Sequence, residues 1–209
     1  MYEKERNLMV DRLINQGYVR SKNLERALRT VPRHIFVQKP YWDSAYEDVP
    51  LPTANGQTTS APSIIALMCE ASLPFSFLFE VGTGTGYLSS VCALSQPDGF
   101  IITTEIFFEL ALRANKNFQE LALSDRVNVV VGDGSRGPNS KLMPDTIVVS
   151  AAAREIPEAL LDHLKEGGKI IIPVGEGVQE LLLVRKVNSK LLVNSMTSCI
   201  FVPLLGKYE

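Results

Sequence analysis

The residues best suited to chemistry form one glycine-rich stretch, residues 80–87, with the sequence EVGTGTGY. Glycines at this spacing allow a tight turn and let backbone N–H groups approach a ligand closely. A phosphate-binding P-loop needs Lys and then Ser or Thr after its last glycine, where this chain has Tyr87 and Leu88. The dinucleotide-binding fingerprint needs Gly or Ala where Tyr87 stands, so it fails as well.

An acidic residue two positions before the first glycine points to a cationic ligand. A carboxylate at Glu80 would repel a pyrophosphate, but it suits the positive amino group of S-adenosylmethionine. A glycine-rich turn that binds no ligand is the alternative. We predict a site for S-adenosylmethionine, with S-adenosylhomocysteine as the product and no metal. It is built from residues of one loop: Glu80, Val81, Gly82, Thr83, Gly84, Gly86 and Tyr87.

Two further acids follow the next two predicted strands. Glu105 could accept hydrogen bonds from both ribose hydroxyls of the cofactor. Asp133 could accept one from the adenine amine, while Gly132 and Gly134 let the backbone come close. The structural alternatives are a solvated carboxylate at a helix start for Glu105 and a common Asp-Gly turn for Asp133. Three such sites in order after three successive strands are more specific together than any one alone.

The elements that must position these residues alternate from about residue 59. Apolar strand-like runs are followed by amphipathic helical runs, which predicts a parallel sheet with helices on both faces. We expect an α/β fold with a doubly wound, Rossmann-like, mostly parallel sheet whose last two strands form an antiparallel hairpin. The predicted strands are residues 77–81, 100–104, 127–131, 146–149, 169–173, 180–186 and 197–202. The predicted helices follow Ser60, begin at Tyr87, cover residues 110–121 and cover residues 156–164.

The first part of the chain, residues 1–58, is predicted to be a helical and loop extension. Apolar residues at helical spacing near Leu13 indicate a first helix. A second helix is predicted over residues 21–28, with Ser21 as its N-cap and Pro32 just beyond its end. Residues 40–57 are rich in Pro, Asn and Gly and are predicted to be an irregular loop. We therefore expect a single domain over residues 1–209, with its Rossmann-like core in residues 59–209.

Several motifs give the chain a resemblance to one known family, from about residue 8 to residue 205. It resembles the protein-L-isoaspartate (D-aspartate) O-methyltransferases. AYED, GQTTS and FVPL together are much more specific to this family than the glycine loop is. The matching stretches are VPRHIFV (31–37), AYEDVPLP (45–52), GQTTSAP (56–62), VGTGTGY (81–87), VGDG (131–134), SAAA (150–153), IPEALL (156–161), IPVGEG (172–177) and FVPLLG (201–206).

The resemblance implies an enzyme that methylates the free α-carboxyl of L-isoaspartyl, and also D-aspartyl, residues in damaged proteins and peptides. The methyl ester then collapses to a succinimide that partly reopens as normal aspartate. The family's catalytic serine falls on Ser60, which could equally be a helix N-cap. Arg154 stands where the family usually has Pro. By resemblance the acceptor peptide is held by Thr58, by Ala45, Tyr46, Glu47 and Asp48 of the AYED loop, and by Phe201, Val202, Pro203 and Leu204.

Composition excludes several other classes. The net charge of -2 and dispersed Lys and Arg argue against a nucleic-acid partner. No apolar stretch is long enough for a membrane span. The three widely spaced cysteines predict free, buried thiols, and the resemblance implies a cytoplasmic monomer. Only two histidines make clustered metal chemistry improbable.

Two other functions stay open at this point. The first is a methyltransferase of the same fold that acts on a small molecule or on RNA. The second is a catalytically silent module that binds the cofactor without turnover. AYED and GQTTS argue against the first, and an intact set of Ser60, Glu80 and Glu105 argues against the second.

Overall fold

The computed structural model describes residues 1–138 and 143–208. Its α-helices are α1 (Glu3–Asn15), α2 (Lys22–Thr30), α3 (Pro62–Ser72), α4 (Tyr87–Ser95), α5 (Phe108–Glu120) and α6 (Glu158–His163). Its strands are β1 (Leu51–Pro52), β2 (Thr58–Thr59), β3 (Phe77–Val81), β4 (Phe100–Glu105), β5 (Val127–Val131), β6 (Thr146–Val149), β7 (Lys169–Val174), β8 (Gln179–Val187) and β9 (Lys190–Cys199). Among these described residues, no helix is both long and apolar enough to cross a bilayer.

One seven-stranded sheet carries the fold, in the order β5-β4-β3-β6-β7-β8-β9. The pairs from β5 to β7 are parallel, whereas β7-β8 and β8-β9 are antiparallel. The expected doubly wound, mostly parallel sheet with an antiparallel C-terminal hairpin is therefore confirmed. Strand order reverses beside β3, because β4 lies on one side of it and β6 on the other. Open α/β sheets bind ligands at such a reversal, outside the carboxyl ends of the strands.

Alternating side chains of the central strands supply two hydrophobic cores, one on each face of the sheet. In β3, Leu78 joins the larger cluster and Phe79 joins the smaller one on the other face. Likewise, Val148 of β6 packs with the larger cluster and Ile147 with the smaller. Since both faces are covered, these strands are continuous apolar runs, which is why their positions could be predicted from sequence.

The N-terminal helices pack onto the larger core. Leu13 of α1 and Leu24 of α2 are buried in it. Ser21 caps α2 by accepting the Leu24 N–H at 3.3 Å, as predicted. The helix runs two residues further than expected and ends at Thr30, before Pro32. The first residues of the chain therefore form part of the same packed structure as the sheet.

Residues 40–57 are more regular than expected. They include 3₁₀ turns over Lys39–Tyr41 and Ala54–Gly56 and the short strand β1, which pairs antiparallel with β2. The turn between the two strands has Asn55 at φ 55° and Gly56 at φ 69°. Asn and Gly tolerate this left-handed conformation, so Asn-Gly is a strong hairpin signal. The prediction of an irregular loop missed this small hairpin.

Two predicted boundaries near the C-terminus were wrong. The helix predicted over residues 156–164 is shorter and covers only Glu158–His163, because Pro157 holds an extended conformation at its start. The last strand was expected over residues 197–202 and instead spans Lys190–Cys199. It lies at the edge of the sheet with most of its residues exposed, so it lacks the apolar pattern of a buried strand.

The three cysteines, Cys69, Cys92 and Cys199, are free and buried, as expected. Cys69 on α3 and Cys92 on α4 are hydrogen-bonded through their sulfurs at 2.9 Å. Burial raises the pKa of the Cys199 thiol to about 11, so it stays protonated at neutral pH. These thiols therefore act as small packed side chains in the core.

Candidate functional site

A cleft of about 790 Å³, part of it open to solvent, lies at the carboxyl ends of β3, β4 and β6. This is the point where strand order reverses, which is where open α/β sheets bind ligands. Its walls come from five segments, residues 57–60, 80–85, 104–107, 150–151 and 202–205, with one residue each from α3 and α5 and two each from α4 and the turn after β5. The cleft therefore joins the cofactor loop to parts of two segments assigned to the acceptor by resemblance.

The glycine loop between β3 and α4 is fixed by its backbone. Gly82 and Thr83 both donate their N–H to the carbonyl of Thr104 on β4, at 2.9 and 3.0 Å. Gly86 is the N-cap of α4 with φ 91°, and a Cβ added there would lie 2.7 Å from the ring of Phe118. Only glycine fits this position, since both the dihedral angle and the space exclude a side chain. The loop thus wraps the start of the helix closely, and the N–H groups of Gly82, Thr83, Gly84 and Gly86 donate to acceptors within the protein.

Glu80 is a fully buried carboxylate in the wall of the cleft. Its Oε2 accepts hydrogen bonds from the hydroxyls of Ser89 on α4 and Thr103 on β4, the second at 2.6 Å. Within the described part of the chain, Oε1 has no hydrogen-bond partner. Burial and, to a smaller extent, the charge of Glu105 raise the pKa of Glu80 to about 7, while the hydroxyls of Ser89, Thr103 and, least of all, Ser150 lower it. An unpartnered buried carboxylate oxygen is costly unless a ligand donates to it, so it suits an ammonium group.

Glu105 lies at the end of β4 and also lines the cleft. Its Oε2 accepts the N–H of Gly84 at 2.8 Å, and its Oε1 accepts the N–H of Phe107 at 3.0 Å. Burial raises the pKa of this carboxyl, while the backbone donors lower it. Each carboxylate oxygen can accept a second hydrogen bond, so the geometry leaves acceptor capacity for a ribose. Glu105 also ties the glycine loop to β4, which the sequence did not indicate.

Asp133 has a structural role in the turn after β5. Its carboxylate accepts the N–H and hydroxyl of Ser135, the guanidinium of Arg136 and the N–H of Lys207. Burial alone would raise the pKa of Asp133, but these donors lower it below its ordinary value. Gly132 and Gly134 line the cleft beside it. The adenine contact expected of Asp133 stays a prediction, and its Asx turn is present.

Ser60 and Thr58 line the cleft and come just before α3 in the sequence. The β1-β2 hairpin positions them: Pro52 pairs with Thr58, and Thr53 donates its N–H to the Gln57 carbonyl at 2.8 Å. The side chain of Ser60 is half-buried and that of Thr58 is exposed. No side-chain hydrogen bond caps α3 from its own N-cap residue, Ala61. The hydroxyl of Ser60 is therefore not the N-cap of this helix.

The two segments assigned to the peptide by resemblance differ in placement. Val202, Pro203 and Leu204 line the cleft, and Phe201 beside them is buried. Leu204 donates its N–H to the Ala152 carbonyl at 2.7 Å, which fixes this wall against the loop after β6.

The AYED loop contributes differently. Ala45 and Tyr46 are buried in the larger core, and Glu47 and Asp48 are exposed. The hydroxyl of Tyr46 contacts His34 Nδ1 at 2.8 Å, so both side chains are satisfied in the interior. Direct contact between this loop and a peptide stays a prediction.

Several functional positions could not be found from sequence. Ser89 and Thr103 hold Glu80 but lie on two different elements, and only the fold brings them together. Ile106, Leu110 and Leu205 line the cleft as ordinary apolar residues. Arg154, a departure from the family pattern, forms a surface ion pair with Glu176 at 3.0 Å. Over residues 1–138 and 143–208, no group of three His, Cys, Asp or Glu side chains could hold a metal ion.

Comparisons with known proteins agree with this geometry. The family model described as protein-L-isoaspartate(D-aspartate) O-methyltransferase matches residues 4–209. A protein-L-isoaspartate O-methyltransferase from Hyperthermus butylicus is 43% identical over 219 residues, covering 99% of this chain and 91% of the relative. A solved protein-L-isoaspartate O-methyltransferase superposes with a TM-score of 0.87 at 28% identity, covering 97% of this chain and 67% of its own.

A Plasmodium falciparum protein assigned to the same activity was solved in complex with S-adenosyl-L-homocysteine. It superposes on this chain with a TM-score of 0.82 at 25% identity. The alignment covers 96% of this chain and 98% of the other. The similarity therefore extends over nearly the whole length of both proteins.

Proposed function

Since the chain belongs to the protein-L-isoaspartate(D-aspartate) O-methyltransferase family, we propose that it methylates the free α-carboxylate of L-isoaspartyl residues in damaged proteins. The methyl donor is S-adenosylmethionine, and S-adenosylhomocysteine is the other product. One observation carries this proposal. The unpartnered carboxylate oxygen of Glu80 and the hydroxyl of Ser60 belong to residues that line the same cleft.

The residues present fit this cofactor. Glu80 offers a buried carboxylate to the amino group, the glycine loop leaves room for the chain of the ligand, and Glu105 has acceptor capacity for the ribose. When bound, S-adenosylmethionine supplies an electrophilic methyl group on a sulfonium. The protein contributes the pocket that orients this ligand and keeps water from its buried end.

The acceptor carboxylate needs no general base, because a carboxyl group is already ionised at neutral pH. What it needs is alignment, which can contribute roughly 7–11 kcal/mol in favourable cases. Ser60 can donate a hydrogen bond to the carboxylate and orient it, and Thr58 lies beside it on the same wall. This interaction must stay modest, because the carboxylate loses charge as the methyl ester forms.

The partners follow from the same assignment. The chain acts on isoaspartyl sites in other proteins and peptides, as a monomer in the cytoplasm. Its buried free thiols support a reducing compartment. Residues 202–204 and Ser60, which the family resemblance assigns to the acceptor, line the same cleft as the glycine loop, and this supports a peptide as the substrate.

The deciding experiment measures methyl transfer from labelled S-adenosylmethionine to two peptides that differ only in one residue. One carries L-isoaspartate, and its twin carries normal aspartate at the same position. Base-labile incorporation into the isoaspartyl peptide alone supports the proposal. If neither peptide is methylated while S-adenosylhomocysteine still binds, the acceptor assignment must be abandoned.

A further inference from the structure

The AYED loop, residues 45–48, contacts the start of α3, and none of its four residues lines the cleft. Asp48 turns its carboxylate to this helix, and its Oδ1 accepts the N–H of Ser63 at 2.8 Å. Ser63 is the second residue of α3 and lies three positions after Ser60. A contact between the loop and the helix start therefore reaches almost to the catalytic hydroxyl.

The start of α3 needs a partner from outside the helix. Pro62, its first residue, has no N–H, and its N-cap residue Ala61 has no side-chain acceptor. The first N–H groups of a helix are unpaired unless a side chain or water accepts them, and the positive end of the helix dipole favours an anion there. Asp48 satisfies the free N–H of Ser63 with a charged acceptor. It acts as a cap supplied from a distant part of the sequence.

The loop is itself held rigidly by a buried cation. Arg33 is fully buried, and its Nε donates to the Ala45 carbonyl at 2.9 Å while its Nη2 donates to the Val49 carbonyl at 3.4 Å. These carbonyls bracket the AYED loop. The guanidinium lies 5.0 Å from the ring centre of Tyr87, the residue that begins α4 after the glycine loop.

Further contacts fix the middle of the loop. Arg12 on α1 donates to the Tyr46 carbonyl at 2.8 Å, and the Tyr46 hydroxyl pairs with His34. Burial lowers the pKa of the Arg33 guanidinium, and the negative charge of Asp48 acts in the opposite sense. Asp48 therefore projects from an anchored backbone, which is what a positioning group requires.

From these contacts we infer that Asp48 is a positioning residue for the methyl transfer proposed above. It fixes the start of α3 and thereby the Ser60 hydroxyl relative to the cofactor cleft. The AYED loop thus links the N-terminal helices and the wall of the cleft, and acts on the reaction through α3. This inference rests on the proposed function. Displacing a reacting group by about 1 Å can cost on the order of 100-fold in rate, so a shift of the helix start is enough to be measured.

The test compares Asp48→Ala, Asp48→Asn and a matched control, Glu166→Ala, in the full chain. Glu166 is also an exposed carboxylate that accepts backbone N–H groups, but it lies between α6 and β7, and its donors, Asn188 and Ser189, form the β8-β9 turn. Measurements are kcat and KM for the isoaspartyl peptide, the Kd for S-adenosylhomocysteine, and amide hydrogen exchange at Ser63.

We expect Asp48→Ala to lower kcat by roughly tenfold, with peptide KM and cofactor Kd changed less than about twofold. Exchange at the Ser63 amide should become faster. Asp48→Asn should recover most of kcat, because its side-chain carbonyl can still accept the hydrogen bond. Glu166→Ala should keep kcat and the Ser63 exchange rate of the unaltered chain.

Three results overturn the role of Asp48. They are an unchanged kcat in Asp48→Ala, an unchanged exchange rate at Ser63, or a rise in peptide KM without a fall in kcat, which would mean direct contact with the substrate. An unaltered chain that methylates no isoaspartyl peptide overturns the proposed function itself. Because the unaltered chain is assayed alongside, the two failures are distinguished.

Discussion

The carboxylate of Glu105 accepts the N–H of Gly84 at 2.8 Å, and this bond joins the end of β4 to the glycine loop after β3. The acid that we propose to bind the ribose thus also holds the glycine loop in place. The two roles explain why its carboxylate is buried although it carries no ion pair with a cation among the described residues. Backbone N–H donors replace the missing cation.

Replacing Glu105 should weaken cofactor binding more than it lowers turnover at saturating cofactor. Hydrogen bonds to charged groups contribute roughly 1.5–3 kcal/mol, so Glu105→Ala should raise the Kd of S-adenosylhomocysteine about 10- to 100-fold. Titration calorimetry measures this directly. Glu120→Ala, an exposed acid at the end of α5, is the control and should leave the Kd unchanged. An unchanged Kd in Glu105→Ala would overturn its ribose assignment.

Removing the hydroxyl of Ser60 should lower turnover and leave cofactor affinity nearly unchanged. Ser60→Ala should lower kcat about 10- to 100-fold, because the acceptor carboxylate loses the group that aligns it with the methyl donor, while cofactor Kd changes little. Steady-state kinetics and calorimetry on the same preparation separate the two quantities. Ser124→Ala, an exposed serine between α5 and β5, is the control. Equal loss of turnover and cofactor affinity would contradict a role in acceptor positioning.

Cofactor affinity should depend on pH through Glu80. Burial raises the pKa of this carboxyl to about 7, so in the free protein a large share of it is neutral just below neutrality. Only the ionised form attracts an ammonium group. The affinity for S-adenosylhomocysteine should therefore rise between about pH 6 and pH 8 and then level off. Glu80→Gln should bind more weakly at pH 8 and lose most of this dependence; an affinity that falls as pH rises would refute the assignment.

Substitution of Gly86, at the start of α4, should destabilise the protein for two reasons that can be measured separately. Gly86→Ala introduces strain at φ 91° and places a Cβ 2.7 Å from the Phe118 ring. Gly17→Ala, at φ 78° with nothing within 4 Å, introduces the strain alone and is the matched control. The control should lower the free energy of unfolding by about 1–2 kcal/mol. Gly86→Ala should lower the free energy of unfolding by roughly 1–3 kcal/mol more than the control. Urea unfolding measures both values. Equal losses in the two variants would mean that the Phe118 ring moves aside without an energetic penalty.

The central strands and the cofactor loop could be predicted from sequence because their signals are local. Residues 77–79 are apolar, and Glu80, Val81 and the glycine loop follow them directly. The predicted boundaries of this strand, Phe77–Val81, were correct. The edge strand Lys190–Cys199 was misplaced because solvent, not a core, lies beside most of its residues. A local pattern of apolar residues indicates a strand only where the strand is buried, and most residues of this edge strand are exposed.

The hydrogen bonds that support the residues of the site could not be predicted from the sequence, because they join positions that are far apart in the chain. Glu105 to Gly84, Thr103 to Glu80 and Asp48 to Ser63 each require the fold to be known. Spacing suggested that Ser60 could cap α3, yet the acceptor at this helix start comes from Asp48. The sequence therefore located the site, and the structure assigned the supporting interactions.

The wall formed by residues 202–205 has a consequence for biosynthesis. It is held by Ala152, which accepts from Leu204 and donates to the Val202 carbonyl, and it follows every strand of the sheet along the chain. A nascent chain synthesised only as far as Cys199 can pair its strands, but its cleft lacks one side. Since chains fold as they emerge, N-terminal parts first, the strands of the sheet are available before this side of the cleft is in place.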